Sequence, residues 1–278
     1  MKLHKKVNYK IEFISDKGAS RLNEDAFSIN KRDQIFAVFD GASSLVPFTD
    51  GSGKTGAYRA SNAAKLVFDN GGHDLKALVT KTNVKIREEM LKEGIDLGDK
   101  LNLWGTTAAA IKVNNSSFDW LQISDTNIIV MYNDGSSRFL VNNNGHDGKA
   151  LSHLRELIIG GSQDPLKDII PDLISQRRRL NIAYGVIAGE DDVKFVKNGS
   201  ESLEGVKAIL IFSDGMMIPQ SNPVTEAQSN TIAKLYSEGG LRGLLSTVRS
   251  MEDSDPDMHK YPRFKRHDDA TAIAITFK

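Results

Sequence analysis

The chain has 278 residues, 40% hydrophobic and 26% charged, and its 36 basic and 36 acidic side chains cancel to a formal charge of zero. That balance argues against a nucleic-acid or membrane-surface binder, which needs a net basic face, and the chain is too apolar for disorder. With no cysteine, a disulfide framework, a thiolate zinc site and a cysteine nucleophile are all excluded.

No apolar run follows the lysine-rich start, so no signal peptide is expected, and the longest apolar stretches, such as residues 208–212, are too short to span a bilayer. The chain reads as cytoplasmic. Residues 9–14 alternate with period two, and residues 34–39 form a continuous apolar run ending at Asp40-Gly41; both read as strands. After a Gly/Ser-rich loop, residues 54–69 and 74–93 read as helices. In the second, Leu75, Leu78, Val79, Ile86 and Met90 keep a helical period, and Gly94 stands where a helix stop belongs. Strands follow over 106–113, 118–124, 128–132 and 138–141. Asn133-Asp134-Gly135 marks a hairpin, because Asn and Asp tolerate positive φ and Gly prefers it.

Residues 142–181 carry little pattern beyond a loop at 142–145 and a helix over 164–180 broken near Pro171. Strands are expected again over 181–187 and 207–212, helices over 224–238 and 240–251, and a closing strand over 270–277. No repeat or linker divides the chain, so one domain over residues 1–278 is expected. Runs of strands and helix pairs without regular βαβ alternation predict an α+β fold, with the helix pairs as outer layers on antiparallel sheets.

The acids are 24 aspartates and 12 glutamates, a bias that by itself means turns and caps. Their position carries more. Asp40 and Asp214 each end an apolar strand and each precede a glycine. Asp268-Asp269 precede the last strand, Asp125 lies between two strands, and Glu24-Asp25 begin another. Carboxylates at strand ends from distant parts of the chain can converge on one rim of a sheet. Such a cluster repels itself unless it holds hard cations, for which Mg2+ or Mn2+ suit oxygen ligands. Gly41 leaves room for a metal to approach the backbone carbonyl.

Six segments in order, Arg21-Leu22-Asn23-Glu24-Asp25-Ala26-Phe27, Val38-Phe39-Asp40-Gly41, Gly105-Thr106-Thr107-Ala108, Ser124-Asp125-Thr126-Asn127, Phe212-Ser213-Asp214-Gly215-Met216 and Asp268-Asp269-Ala270-Thr271, resemble the protein phosphatase 2C family of metal-dependent Ser/Thr phosphatases. The resemblance runs from about residue 14 to 278 and is carried by order and spacing, not by any one motif. It implies a four-layer αββα sandwich with two metal ions, Mn2+ or Mg2+, at one end of the paired sheets. Asp40 would bridge both ions, with the Gly41 carbonyl beside it, while Asp214 and Asp268 complete one shell. Glu24, with Asp25, would serve the second ion, and Asp125 matches the holder of a third ion in many bacterial members. Arg21 resembles the arginine that grips the substrate phosphate, a task that suits a guanidinium fork. The family's reaction is in-line attack by a metal-bridging hydroxide, without a phosphoenzyme.

The sequence also departs from the pattern. The stretch after Gly41 lacks the usual glycines and the histidine proposed as general acid, which leaves the leaving-group proton unassigned. Arg21 lies three residues before Glu24, where four is commoner. The usual Gly-Asp-Ser-Arg keeps only Asp125, and a one-residue slip would exchange Asp268 for Asp269. Gly51-Ser52-Gly53-Lys54-Thr55 resembles the end of a nucleotide-binding loop, but Phe48 replaces its opening glycine, so it reads as a loop entering a helix. His146-Asp147 and His267 read as surface residues, with a supporting or acid role for His267 as the alternative. Arg177-Arg178-Arg179 read as a solvated helix end, and Trp104 and Trp120 as core.

The expected function is therefore that of a monomeric signalling phosphatase acting on phosphorylated protein, with neither nucleic acid nor membrane as partner. A non-catalytic phosphoprotein-binding module on the same fold is the alternative, and a hydrolase of small phosphoesters is a third reading.

Overall fold

The computed structural model describes residues 7–42, 44–72, 74–141, 148–222 and 228–278. Among the described residues, ten strands form two antiparallel sheets of five. The first sheet runs β1 (Tyr9–Asp16), β10 (Ala270–Phe277), β9 (Val206–Phe212), β6 (Asn127–Tyr132), β7 (Ser137–Phe139). The second runs β2 (Ala26–Asn30), β3 (Ile35–Ala42), β4 (Gly105–Val113), β5 (Ser117–Ile123), β8 (Lys197–Ser202).

The unbroken apolar runs of the central strands follow from burial on both faces. Along β3, Ile35, Ala37 and Phe39 pack towards helices while Phe36 and Val38 face the other sheet. The same alternation splits β9 into Ala208, Leu210 and Phe212 on one side and Ile209 and Ile211 on the other. Three stacked cores result: helix on sheet, sheet on sheet, sheet on helix. The architecture is αββα: the α+β class follows the reading of strand and helix runs, and the four layers are those the family resemblance implied.

Helices α1 (Gly56–Asn70) and α2 (Leu75–Lys92) cover the second sheet. Thr55 caps α1 by accepting from Tyr58 N, and Asp74 caps α2 by accepting from Lys76 N. Arg59 of α1 joins the pair, bonding Glu89 at 2.7 Å and Glu93 at 2.5 Å while its guanidinium lies over Trp104. Trp104 is fully buried, as expected, whereas Trp120 is half-buried against the inter-sheet core.

Over the other sheet lies one helical run, α6 (Ser229–Asp253), broken at Gly240, where φ is +63°. Glu12 of β1 reaches into the break and accepts from Leu241 N at 2.8 Å, capping the second half. The two helices expected there are therefore present, although residues 224–227 of the first lie outside the described residues. No helix among the described residues is long and apolar enough to cross a membrane.

Between β7 and β8 the structure differs from the sequence reading. A helix occupies Gly148–Ile159 (α3), where no pattern was legible, followed by α4 (Pro165–Asp168) and α5 (Ile170–Arg177), with Pro171 in the first turn of α5. Residues 181–187 are not a strand. Buried Asn181, at φ +52°, ties the segment into a turn, accepting from Val186 N and donating to Val186 O and Glu190. The segment's one backbone bridge to a strand is that of Ile187 to Thr106. The polar edge strand β8 had no apolar alternation to announce it; Gly199 lies against Trp120 there.

Candidate metal centre

Strand register brings the six segments to one end of the sandwich. Ala26, at the start of β2, stands opposite Phe39 near the end of β3; Asn127, at the start of β6, stands opposite Phe212, the end of β9; and Ala272 of β10 faces Phe212 from the other side. The acids singled out above lie just outside these strand ends, except Asp40, which is still paired within β3 opposite Thr107. Parity along β3 sends Asp40 the way of Phe36 and Val38, into the space between the sheets.

Asp40 feels the carboxylates of Asp214, Asp25, Asp125 and Asp268. Burial first, and these like charges after it, push its carboxyl well above the usual range. Asp25 lies deeper. Burial again dominates and raises it to about 7, the charges of Asp268 and Asp269 adding to the effect and a hydrogen bond from Ser213 opposing it. That bond, Ser213 Oγ to Asp25 Oδ2, measures 2.6 Å. Ser213 also accepts from Thr271 N, so one hydroxyl latches β9, β10 and Asp25 together.

Asp268 and Asp269 differ in their contacts. Asp269 is buried and accepts from Gly18 N at 2.8 Å and Glu24 N at 2.7 Å, bracing the loop that carries Arg21 and Glu24. Asp268 is half-buried and acts on Asp40 and Asp25. Two glycines permit the close approach: a Cβ on Gly41 would stand 2.6 Å from the Glu24 carbonyl oxygen, and one on Gly215 would stand 2.0 Å from that of Asp269.

Glu24 is buried beside the cluster and accepts a short hydrogen bond from Thr55. Arg21 is exposed, with its guanidinium beside Gly53 in the loop before α1. That loop is closed by Asp50, whose Oδ1 accepts from Ser52 N, Ser52 Oγ and Lys54 N. The N–H groups that would cradle a nucleotide phosphate are thereby engaged, in line with a loop entering a helix. Asp125 lies in the β5–β6 turn behind Ser124, which keeps the left-handed conformation (φ +61°) that a glycine would adopt freely. His267 Nε2 pairs with Asp253 at 3.0 Å. His146-Asp147 lies outside the described residues.

Sequence reasoning missed Ser213, Asp269 as a loop brace, and above all Lys265. The Lys265 ammonium lies 2.7 Å from Asp268 Oδ1 and feels Asp40 and Asp214 as well. Burial opposes its charge, yet these carboxylates hold it above the ordinary lysine value. The only signal in the sequence was a lysine three residues before Asp268.

The donors gathered here are all oxygens, with no sulfur or imidazole among the five mutually repelling carboxylates, and in that chemistry they fit hard divalent ions. Among the described residues no three His, Asp or Glu side chains stand together as a ready-made metal-holding group. Mg2+ does not require one, since it retains several waters and takes one or two carboxylates.

The fold is that of the protein phosphatase 2C-type serine/threonine phosphatases. Solved structures that share it include the Mycobacterium tuberculosis serine/threonine phosphatase PstP/Ppp, at 17% identity and a TM-score of 0.60, with 97% of this chain and 99% of that one covered. Another is serine/threonine phosphatase Stp1 from Staphylococcus aureus, at 16% identity, TM-score 0.59 and 98% and 96% coverage. A structure of the PstP catalytic domain in complex with two manganese ions matches at 16% identity, TM-score 0.56 and 97% and 98% coverage. No family model matches the sequence, and no curated protein matches it.

Proposed function

We propose that the chain is a Mn2+- or Mg2+-dependent phosphatase that removes phosphate from serine or threonine of proteins. The carrying observation is the convergence of Asp25, Asp40, Asp125, Asp214 and Asp268, drawn from across the chain, at one end of a sandwich with the phosphatase fold. In this reading Asp40, Asp214 and Asp268, with the Gly41 carbonyl, hold two ions. Glu24 and Asp25 support them from the buried side, and Asp125 serves a third. Divalent ions so held supply Lewis acidity towards phosphoryl oxygens and an activated water. The chain's own part is to orient the phosphoester and offset its charge. Arg21, exposed and free of ion pairs among the described residues, presents a guanidinium fork to two phosphoryl oxygens. The Asp269 brace on the 18–24 loop fixes where that arginine starts from.

The test is phosphate release from a phosphoserine peptide with Mn2+, with and without chelator. Chelator-sensitive turnover is expected, and Asp40→Asn and Asp214→Asn are each expected to lower it by about 100-fold or more, beyond the loss typical of a supporting residue. Undiminished turnover in either variant contradicts the reading. The Lys265–Asp268 ion pair favours a second reading, a phosphoprotein-binding module without turnover; phosphopeptide binding with no phosphate release at any Mn2+ concentration would establish it.

A further inference from the structure

The loop entering β10 is built to hold one ammonium against the acidic cluster. Asp255 accepts from His259 N, Lys260 N and Tyr261 N, curling residues 255–261 around its carboxylate. Arg263 locks the curl, donating to Asp255 Oδ2 at 2.9 Å and to the carbonyls of Tyr261, Glu252 and Asp255, while its Nε donates to Arg266 O. Arg249 donates to the Asp268 carbonyl at 2.7 Å and fixes the far end to α6. Between Arg263 and Arg266 stands Lys265, half-buried, its Nζ 2.7 Å from Asp268 Oδ1. The same Oδ1 accepts from Asp269 N at 2.8 Å, so this oxygen of Asp268 is already engaged twice.

We propose that Lys265 is a built-in counter-ion of the cluster, which holds Asp268 in the metal-free protein and must yield that carboxylate when a divalent ion is taken up by Asp40, Asp214 and Asp268. The inference rests on the metal reading above and adds a residue to it. A monovalent charge tethered within the cluster relieves the repulsion among the five carboxylates, which favours the metal-free fold. It also opposes a dication at the same oxygens. Metal affinity is thus set below what the carboxylates alone would give, and the centre fills only above a threshold of free metal. Lys265 is a positioning residue here and has no part in the chemical step.

The experiment is Mn2+ binding to the full chain, followed by the EPR signal of free Mn2+ at fixed pH and ionic strength. Wild type, Lys265→Met and Lys265→Arg are compared, with thermal unfolding of each metal-free protein alongside. Lys265→Met is expected to bind Mn2+ about tenfold more tightly, the effect of removing one partly screened unit charge. It should also unfold at lower temperature without metal and gain more on adding it, while Lys265→Arg stays close to wild type. Binding by Lys265→Met that equals or falls below wild type overturns the counter-ion role, even where its metal-free unfolding temperature drops, since a purely structural lysine would do only that. If neither wild type nor Lys265→Met binds Mn2+, the metal centre itself fails, and the counter-ion with it.

Discussion

Asp25 shows how one residue couples the site to the stability of the fold. Its carboxyl stands near 3.8 in the unfolded chain and about 7 in the folded one, raised chiefly by burial. The folded state therefore binds more protons between these values, and stability falls as pH rises through that window. Chelator-treated protein should be harder to unfold in urea at pH 5 than at pH 7.5, with the difference reduced in Asp25→Asn. Mn2+ should restore stability at the higher pH by engaging the ionised cluster. A pH-independent urea midpoint for the chelated protein would mean that Asp25 is solvated. At this scale the sequence yielded the acids but not their supports. Asp-Gly after an apolar run is visible in one dimension, whereas Ser213 and Asp269 acquire their roles only through partners far along the chain.

Strand ends and their glycines form the next scale. Adding a methyl at Gly41 or Gly215 drives a Cβ into backbone oxygen at 2.6 or 2.0 Å, where no side chain can yield. Gly41→Ala and Gly215→Ala should each cost about 1–3 kcal/mol or more. Gly243→Ala, in α6 with nothing within 4 Å, should gain about 1 kcal/mol from helix propensity alone. Loss of the Glu12 cap on Leu241 in Glu12→Ala should cost about 1 kcal/mol. Urea midpoints measure all four, and equal costs at Gly41 and Gly243 would contradict the packing described. Elements buried on both faces, such as β3 and β9, were legible because an apolar run has few alternatives at that length. Residues 181–187 misled for the same reason: a short apolar run, organised in fact by Asn181 into a turn. The polar edge strand β8 left no trace, because pairing with β5 and the packing of Trp120 on Gly199 define it.

At the scale of the whole molecule, two sheets with crossed-over strand orders deliver the ends of β3 and β9 and the starts of β2, β6 and β10 to one place. The order of the motifs foretold that convergence through resemblance; period and composition marked the central strands without saying which ends would meet. In the proposed function this meeting point takes divalent ions. Crystals soaked in Mn2+ and measured at the manganese edge address it directly. Anomalous peaks are expected at the carboxylates of Asp40, Asp214 and Asp268, with Lys265 displaced from Asp268. Well-ordered crystals with no peak at these side chains, or with peaks only elsewhere on the surface, would contradict it.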